Sequence, residues 1–357
     1  MVGSGLPAPA RRHWGGGRLQ WPLLTLLLLL GVNALLNPGL LHLQWRDGHL
    51  YGSLIDILNR AAPLILVSLG MTMVIATRGI DISVGAVVAI AAAIAGVMIG
   101  GTLVIHDGVA SHVSRFPMPL AMAAAVGTAL LCGLWNGLLV ARVGMQPIIA
   151  TLILMVAGRG VAQLITGGQI ITIYYEPYFA IGNGFLLGLP VALYIAGAVW
   201  LLLQFAVSRT ALGLFVQAIG INPVAARVAG VREELITVCV YAFCGFTAGV
   251  AGLIVSSNVK SADGNNAGLL MELDAILAVT LGGTLLSGGR FSLAGSVIGA
   301  LIIQTLTSTI YAIGVPPEVN LVVKALVVFV VMLLQSADFR ALVRSALRRP
   351  AELTGQP

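Results

Sequence analysis

The sequence predicts an all-α integral membrane protein, a bundle of about ten transmembrane helices, some of them discontinuous. Three observations predict it. The 357 residues are 58% hydrophobic and only 9% charged, with mean hydropathy +1.00, whereas a soluble domain carries about 25% charge. Apolar runs recur from end to end, and a span needs roughly 20 such residues to cross. The alternating strands of about ten residues that mark a membrane β-barrel are missing from the pattern.

The runs fall near 20–41, 61–77, 84–106, 117–141, 147–166, 186–207, 235–257, 270–286, 292–313 and 319–335. The first follows Arg11, Arg12 and Arg18 as a signal peptide would, but Gln20–Leu41 is longer than a typical h-region and no A-x-A-like site follows. It reads as an uncleaved helix. The implied organisation is a tail at 1–19, a transmembrane domain at 20–336 with a long loop at 208–234, and a basic tail at 337–357. Ten spans put both tails on one side. The segments sharing that side carry thirteen arginines, from Arg11 to Arg349; the other side has only Arg46, Arg60, Arg115 and Lys260. Cytoplasmic loops hold the excess of Lys and Arg, so both termini and the 208–234 loop are expected in the cytoplasm of an inner membrane. Orientation accounts for the net charge of +6, and no nucleic-acid partner is needed; membrane lipid is the surrounding medium.

Helix contacts are expected to be close. Glycine makes up 44 residues, and Gly133/Gly137, Gly245/Gly249 and Gly295/Gly299 each have the i, i+4 spacing that lets helices approach. Cys132, Cys239 and Cys244 lie inside spans, an odd number with no metal spacing, and read as small apolar packers. Tyr174, Tyr175 and Tyr178 read as interface anchors.

The 208–234 loop carries its own helix signal. Asn222 suits an N-cap, Pro223 the first helical position and Gly230 the position just past the end. The implied helix, Pro223–Ala229, includes Ala225, Ala226 and Arg227 and exposes mainly alanine and valine. Two turns cannot hold themselves together in water. Such a helix needs a partner, which suggests a transporter subunit driven from outside.

Two polar segments interrupt the spans. In Arg78–Gly85, Ser83 or Asp81 can cap the following helix and Gly79 permits irregular backbone. The segment fits a broken helix lining a pathway, and equally a short capped turn. Ser256–Asp274 gathers Asn258, Asp263, Asn265, Asn266, Glu272 and Asp274. Amides and carboxylates of this kind hydrogen-bond sugar hydroxyls; a plain polar loop would also contain them. Glu272 and Asp274 border an apolar run, where charge is costly. Arg159 and Lys324 lie within spans, either snorkelling, paired or facing the pathway. His106, Asp107 and His112 share a loop with too few ligands for a metal. No P-loop, zinc pattern or nucleophile elbow occurs, and the only lysines are Lys260 and Lys324. The chain is therefore expected to bind no cofactor and to catalyse no covalent step.

Thr77–Gly85 (TRGIDISVG), Ala218–Val231 (AIGINPVAARVAGV) and Gly282–Phe291 (GGTLLSGGRF) together resemble the permeases of ribose-type ABC sugar importers, across roughly residues 20–335. Ile55–Pro63, Ala150–Ile165 and Ala262–Ala278 look most like the galactofuranose type. The resemblance implies alternating access for a monosaccharide, galactofuranose-like or ribose-like. It implies as partners a second permease copy or paralogue, a cytoplasmic ATPase that uses the ATP, and a periplasmic sugar-binding protein. It also implies that Gly220, Asn222, Ala225, Ala226 and Gly230 engage that ATPase. This sequence departs from the family at Arg78, where a second glycine is usual. The rival reading is an ion-coupled secondary carrier of a small polar solute, titrating Asp81, Glu272 or Asp274.

Overall fold

The computed structural model describes residues 19–335 except 38, 47, 107, 108 and 315. The chain runs α1 (Gln20–Leu36), β1 (Gln44–Arg46), β2 (His49–Tyr51), α2 (Ser53–Ala76), α3 (Val84–Ile99), β3 (Thr102–His106), β4 (Val109–Val113), α4 (Met118–Ala141) and α5 (Pro147–Thr166). It continues through β5 (Ile171–Thr172), α6 (Glu176–Asn183), β6 (Phe185–Leu186), β7 (Leu189–Pro190), α7 (Val191–Arg209), α8 (Leu212–Ile221) and α9 (Pro223–Val228). The last elements are α10 (Glu233–Val259), β8 (Ser261–Ala262), α11 (Met271–Leu281), α12 (Leu293–Ala312) and α13 (Pro317–Gln335). Among the described residues six helices, α2, α4, α5, α7, α10 and α12, are long and apolar enough to cross a membrane, and shorter apolar helices accompany them.

The fold is mostly helical, and the strict all-α expectation needs correction. Among the described residues, four two-stranded antiparallel sheets close links between helices, including the β1–β2 and β3–β4 hairpins and the long-range pair β5–β8. The run at 84–106 is helical only to Ile99; Gly100 and Gly101 take positive φ, and Thr102–His106 pairs as a strand. Apolar composition alone does not separate a strand of five residues from the end of a helix. The run at 270–286 is helical over only eleven residues, about 16 Å at 1.5 Å per residue, roughly half a span. The 208–234 loop is mostly helix. Leu212–Ile221 forms α8, which buries Gly213, Val216, Ile219 and Gly220 at helical spacing. The tails at 1–18 and 336–357 lie outside the described residues.

α2 is the centre of the bundle, with every residue from Ala61 to Ala76 buried. α1, α5 and α7 turn leucine, isoleucine and phenylalanine outward, as helices in lipid do. The glycine spacings explain the closest crossing. A Cβ on Gly133 would run into the Tyr241 carbonyl and the Gly245 backbone; one on Gly137 would meet Val238; one on Gly249 would meet Ala129. The two motifs are thus opposite faces of one α4–α10 contact. Gly295 and Gly299 bring α12 onto the backbone of Gly282 and Ala278 in the same way. In lipid no hydrophobic force drives helices together, so this backbone approach supplies the packing. Within it, Thr72 of α2 donates to Ser296 of α12 at 2.7 Å.

Tyr178 contradicts the interface expectation. It is fully buried, its hydroxyl donating to the Leu253 carbonyl at 3.1 Å and sharing a 2.7 Å bond with Ser256. A buried phenol needs a partner, and α10 supplies it.

Candidate functional site

The predicted site residues separate into two regions, one at the α2 C-terminus and one along the segment between α10 and α11, where Asn265 and Asn266 are exposed and Glu272 is buried. At the first, Asn222 caps α9: its side-chain oxygen accepts from the Ala225 N–H at 3.1 Å. Pro223 opens the helix. At the other end the Gly230 N–H donates to Arg227 and the Val231 N–H to Ala226, with Gly230 at φ +86°. This is a Schellman closure, which needs a residue free to take positive φ. Ala226 is buried, while Val224 and Val228, one turn apart, are 69% and 85% exposed. Arg227 pairs with Glu233 at 2.8 Å. Beside this surface a cavity of about 470 Å³ is lined by Arg142, Arg227, Arg232, Glu233 and Glu234. Six residues of helix thus offer two bare valines beside a cavity whose lining mixes these charges with Leu138, Val231, Leu235 and Val238.

α8 joins that surface to the interior. Gly220 packs so closely that a Cβ would strike the Ala76 carbonyl and the Gly289 N–H. That N–H donates to Ala76 at 2.9 Å. Arg78 adopts φ +65° and donates through Nε to the Gly220 carbonyl (2.7 Å) and through Nη2 to the Ile221 carbonyl (2.5 Å). The end of α2, the end of α8 and the 282–292 turn therefore meet backbone to backbone.

Asp81 and Ser83 sit just beyond Arg78, both buried. Ser83 holds the N-cap position of α3 but makes no side-chain cap. Instead Asp81 accepts from the Ser83 N–H (3.0 Å) and hydroxyl (2.6 Å), and Asn136 of α4 donates to Ser83 at 2.9 Å. Thr151 of α5 accepts from the Ile82 N–H and can donate to the Ile80 carbonyl, both at 3.3 Å. α4 and α5 thus each contribute a polar side chain to the buried turn, although the Asn136 Oδ1 and the Tyr241 hydroxyl beside Gly79 are left without a partner. Asn136 and Thr151 were missed in the sequence, although each is a polar residue within an apolar run.

The second region is built by the irregular chain between α10 and α11. Ala262 lies against Gly96, and Gly268 against Val88 and Gly85. The chain thus follows α3 for roughly two turns, about 12 Å, before α11 begins at Met271, just after Leu270 at φ +61°. Asp263 folds this segment by accepting from the Asn265 N–H (2.8 Å), the Asn266 N–H (3.2 Å) and the Asn266 side chain (2.7 Å). Arg159 of α5 donates to the carbonyls of Ala267 (2.6 Å) and Asn265 (3.3 Å), and Gln163 donates to the Asn265 side chain at 2.6 Å. Glu272 is buried against Gly85 and Gly268, and its Oε2 has no hydrogen-bond partner. Asp274, two residues on and so on another helix face, is held elsewhere by Lys324 of α13 at 2.6 Å. Asn258 is apart from both, its carbonyl accepting from Asn183. Among the described residues no group of histidine, cysteine and carboxylate is placed to hold a metal.

A half-length helix entered from irregular polar backbone, within a bundle of apolar helices of spanning length, fits a multi-pass membrane transport protein. Residues 53–332 match the family described as the branched-chain amino acid transport system / permease component. The chain is 49% identical over 353 residues to a galactofuranose transporter permease protein of Escherichia coli strain K12, covering 98% of this chain and 99% of that protein. It is 38% identical to a fructose import permease protein of Bifidobacterium longum (93% and 92% covered) and 33% identical to a ribose import permease protein of Haemophilus influenzae (88% and 92% covered). No solved structure matches. The chain belongs to this permease family, in its ribose-type ABC sugar-importer branch. It is a multi-pass membrane transport component and not an enzyme.

Proposed function

We propose that the chain carries a monosaccharide, galactofuranose-like or ribose-like, across a bacterial inner membrane by alternating access. It works with a second permease copy or paralogue, a cytoplasmic ATPase that consumes the ATP, and a periplasmic sugar-binding protein. About ten helical segments cross, α3 and the 263–281 segment among them, with both termini cytoplasmic. The identity to permeases named for galactofuranose, fructose and ribose supports the substrate class.

The observation that carries the mechanism is the exposed Val224–Val228 face on a capped six-residue helix. A helix this short is held by what it docks on. The ATPase grips α9, with Gly220, Asn222, Pro223, Ala225, Ala226, Arg227 and Gly230 shaping the contact. Its closure moves α8 and rocks the bundle. Sugar passes beside Asp263, Asn265, Asn266 and Glu272, where irregular backbone and a partly unpartnered carboxylate supply donors and acceptors. Asp81 and Ser83 fix the turn at the foot of that path, Asp274 anchors α13 through Lys324, and Asn258 holds α10 to α6. The test is uptake of labelled galactofuranose and ribose by proteoliposomes holding permease, ATPase and binding protein. ATP-dependent uptake is expected. Uptake driven by an ion gradient without the ATPase would instead establish a secondary carrier.

A further inference from the structure

We propose that Arg78 is a positioning residue that latches the end of α8 to the turn at the head of α3. The inference rests on the ATP-driven reading above and names the part through which the stroke travels.

The last carbonyls of a helix have no partner within it. In α8 the Asn222 N–H takes the Ala218 carbonyl, and those of Gly220 and Ile221 go to Arg78. The guanidinium carries donors in a fixed fork, so two adjacent carbonyls can be held at once. Positive charge at a helix C-terminus is also favoured by the peptide dipoles. The cost lies in the backbone. Arg78 takes φ +65°, a left-handed conformation that a residue with a Cβ adopts only when its surroundings enforce it. Glycine would take that conformation freely, so the side chain must contribute something glycine lacks. What it contributes is the two bonds to α8, 142 and 143 residues along the chain.

The latch has a consequence on both sides of the path. Arg78 is three residues from Asp81, whose network with Ser83 and Asn136 seats α3. Its Cγ packs on the bare backbone of Gly288, and neighbouring Gly289 donates to Ala76. The 282–292 turn continues directly from α11, which carries Glu272, and leads into α12. A displacement of α8 is therefore delivered to α3 and α11 together.

The test compares wild type, Arg78→Gly and Arg78→Lys in the complete reconstituted importer. It reads sugar uptake, ATP hydrolysed per sugar, ATPase retention and melting temperature. Arg78→Gly relaxes the backbone and leaves α9 with its own cap, so assembly and melting temperature are expected to hold. ATP consumed per sugar is expected to rise about tenfold, within the range of couplings between distinct sites. Lysine, a point charge without the fork, should recover only part of the coupling. Normal coupling in Arg78→Gly would overturn the latch while leaving the importer reading intact. If Arg78→Gly fails to assemble, Arg78→Lys decides: assembled with a raised ratio it supports the latch, and assembled with a normal ratio it overturns it. A wild-type complex without ATP-driven uptake would sink the importer reading, and the latch with it.

Discussion

Replacing Asn222 with alanine tests whether α9 works as a preformed helix. The side-chain oxygen of Asn222 accepts from Ala225 at 3.1 Å, whereas the first helical bond, from the Ala226 N–H, goes to the Asn222 carbonyl and survives any substitution. Alanine therefore removes the cap and little else. Losing an Asn cap to alanine costs about 1 kcal/mol, whereas glycine at the same place costs only a few tenths. In a long helix that would be absorbed. α9 has six residues and no reserve of its own, so about 1 kcal/mol shifts its folded population roughly fivefold. Asn222→Ala should raise ATP hydrolysed per sugar roughly two- to fivefold, with Asn222→Gly close to wild type. Both variants should insert and melt as wild type does, because α9 contributes little to the bundle core. The assay is paired uptake and phosphate release in proteoliposomes. Equal defects in the two variants would refute the capping argument and make Asn222 a direct contact of the ATPase.

Other perturbations probe the bundle and the interior. Gly245→Val should prevent the α4–α10 approach, because even a Cβ there meets the Ala129 carbonyl and the Gly133 backbone; a loss of folded protein in detergent is expected, of about 3 kcal/mol or more where backbone must part, and a native melting profile would contradict it. Asn136→Leu removes the donor to Ser83 and leaves the buried Asp81 network short of a partner, which should cost about 2 kcal/mol and be checked by chemical unfolding against Asn136→Gln. Asp274→Ala should leave the mostly buried Lys324 without its partner and lower stability by about 2 kcal/mol, with Asp274→Ala/Lys324→Met recovering most of the loss because both charges go together. A double variant no better than the single would show that the ion pair is not what Asp274 provides.

Much of the fold was legible because lipid leaves few choices. Long apolar runs favour helices, and each of the ten predicted runs overlaps one, although 84–106 ends in a strand. Errors came where length, not composition, decides. The 270–286 run looked like a span because it is mostly apolar from Ala275 on, yet the helix starts only at Met271, after Leu270 at positive φ, and the turn beginning at Gly282 ends it. α8 was hidden by its short length and by a neighbouring helix signal, although Val216, Ile219 and Gly220 already lay on one face. The cap of α9 was readable because Asn222, Pro223 and Gly230 act locally. Arg78 was readable only as a departure. Its partners lie more than 140 residues away, and no local pattern pairs a side chain with a distant helix end. Asn258, Asp263, Glu272 and Asp274 looked like one polar cluster because they are near in sequence; helix geometry sends Glu272 against Gly85 and Asp274 to Lys324.

The central claim is that an ATPase holds this permease through the exposed valines of α9. The direct measurement is co-purification of the ATPase with wild type and with the Val224→Asp/Val228→Asp variant, each checked for a native melting profile. Both valines face outward, so the permease should fold normally. The account predicts that wild type retains the ATPase and the variant loses it. Full retention by a folded variant would contradict it and place the drive of this transporter elsewhere.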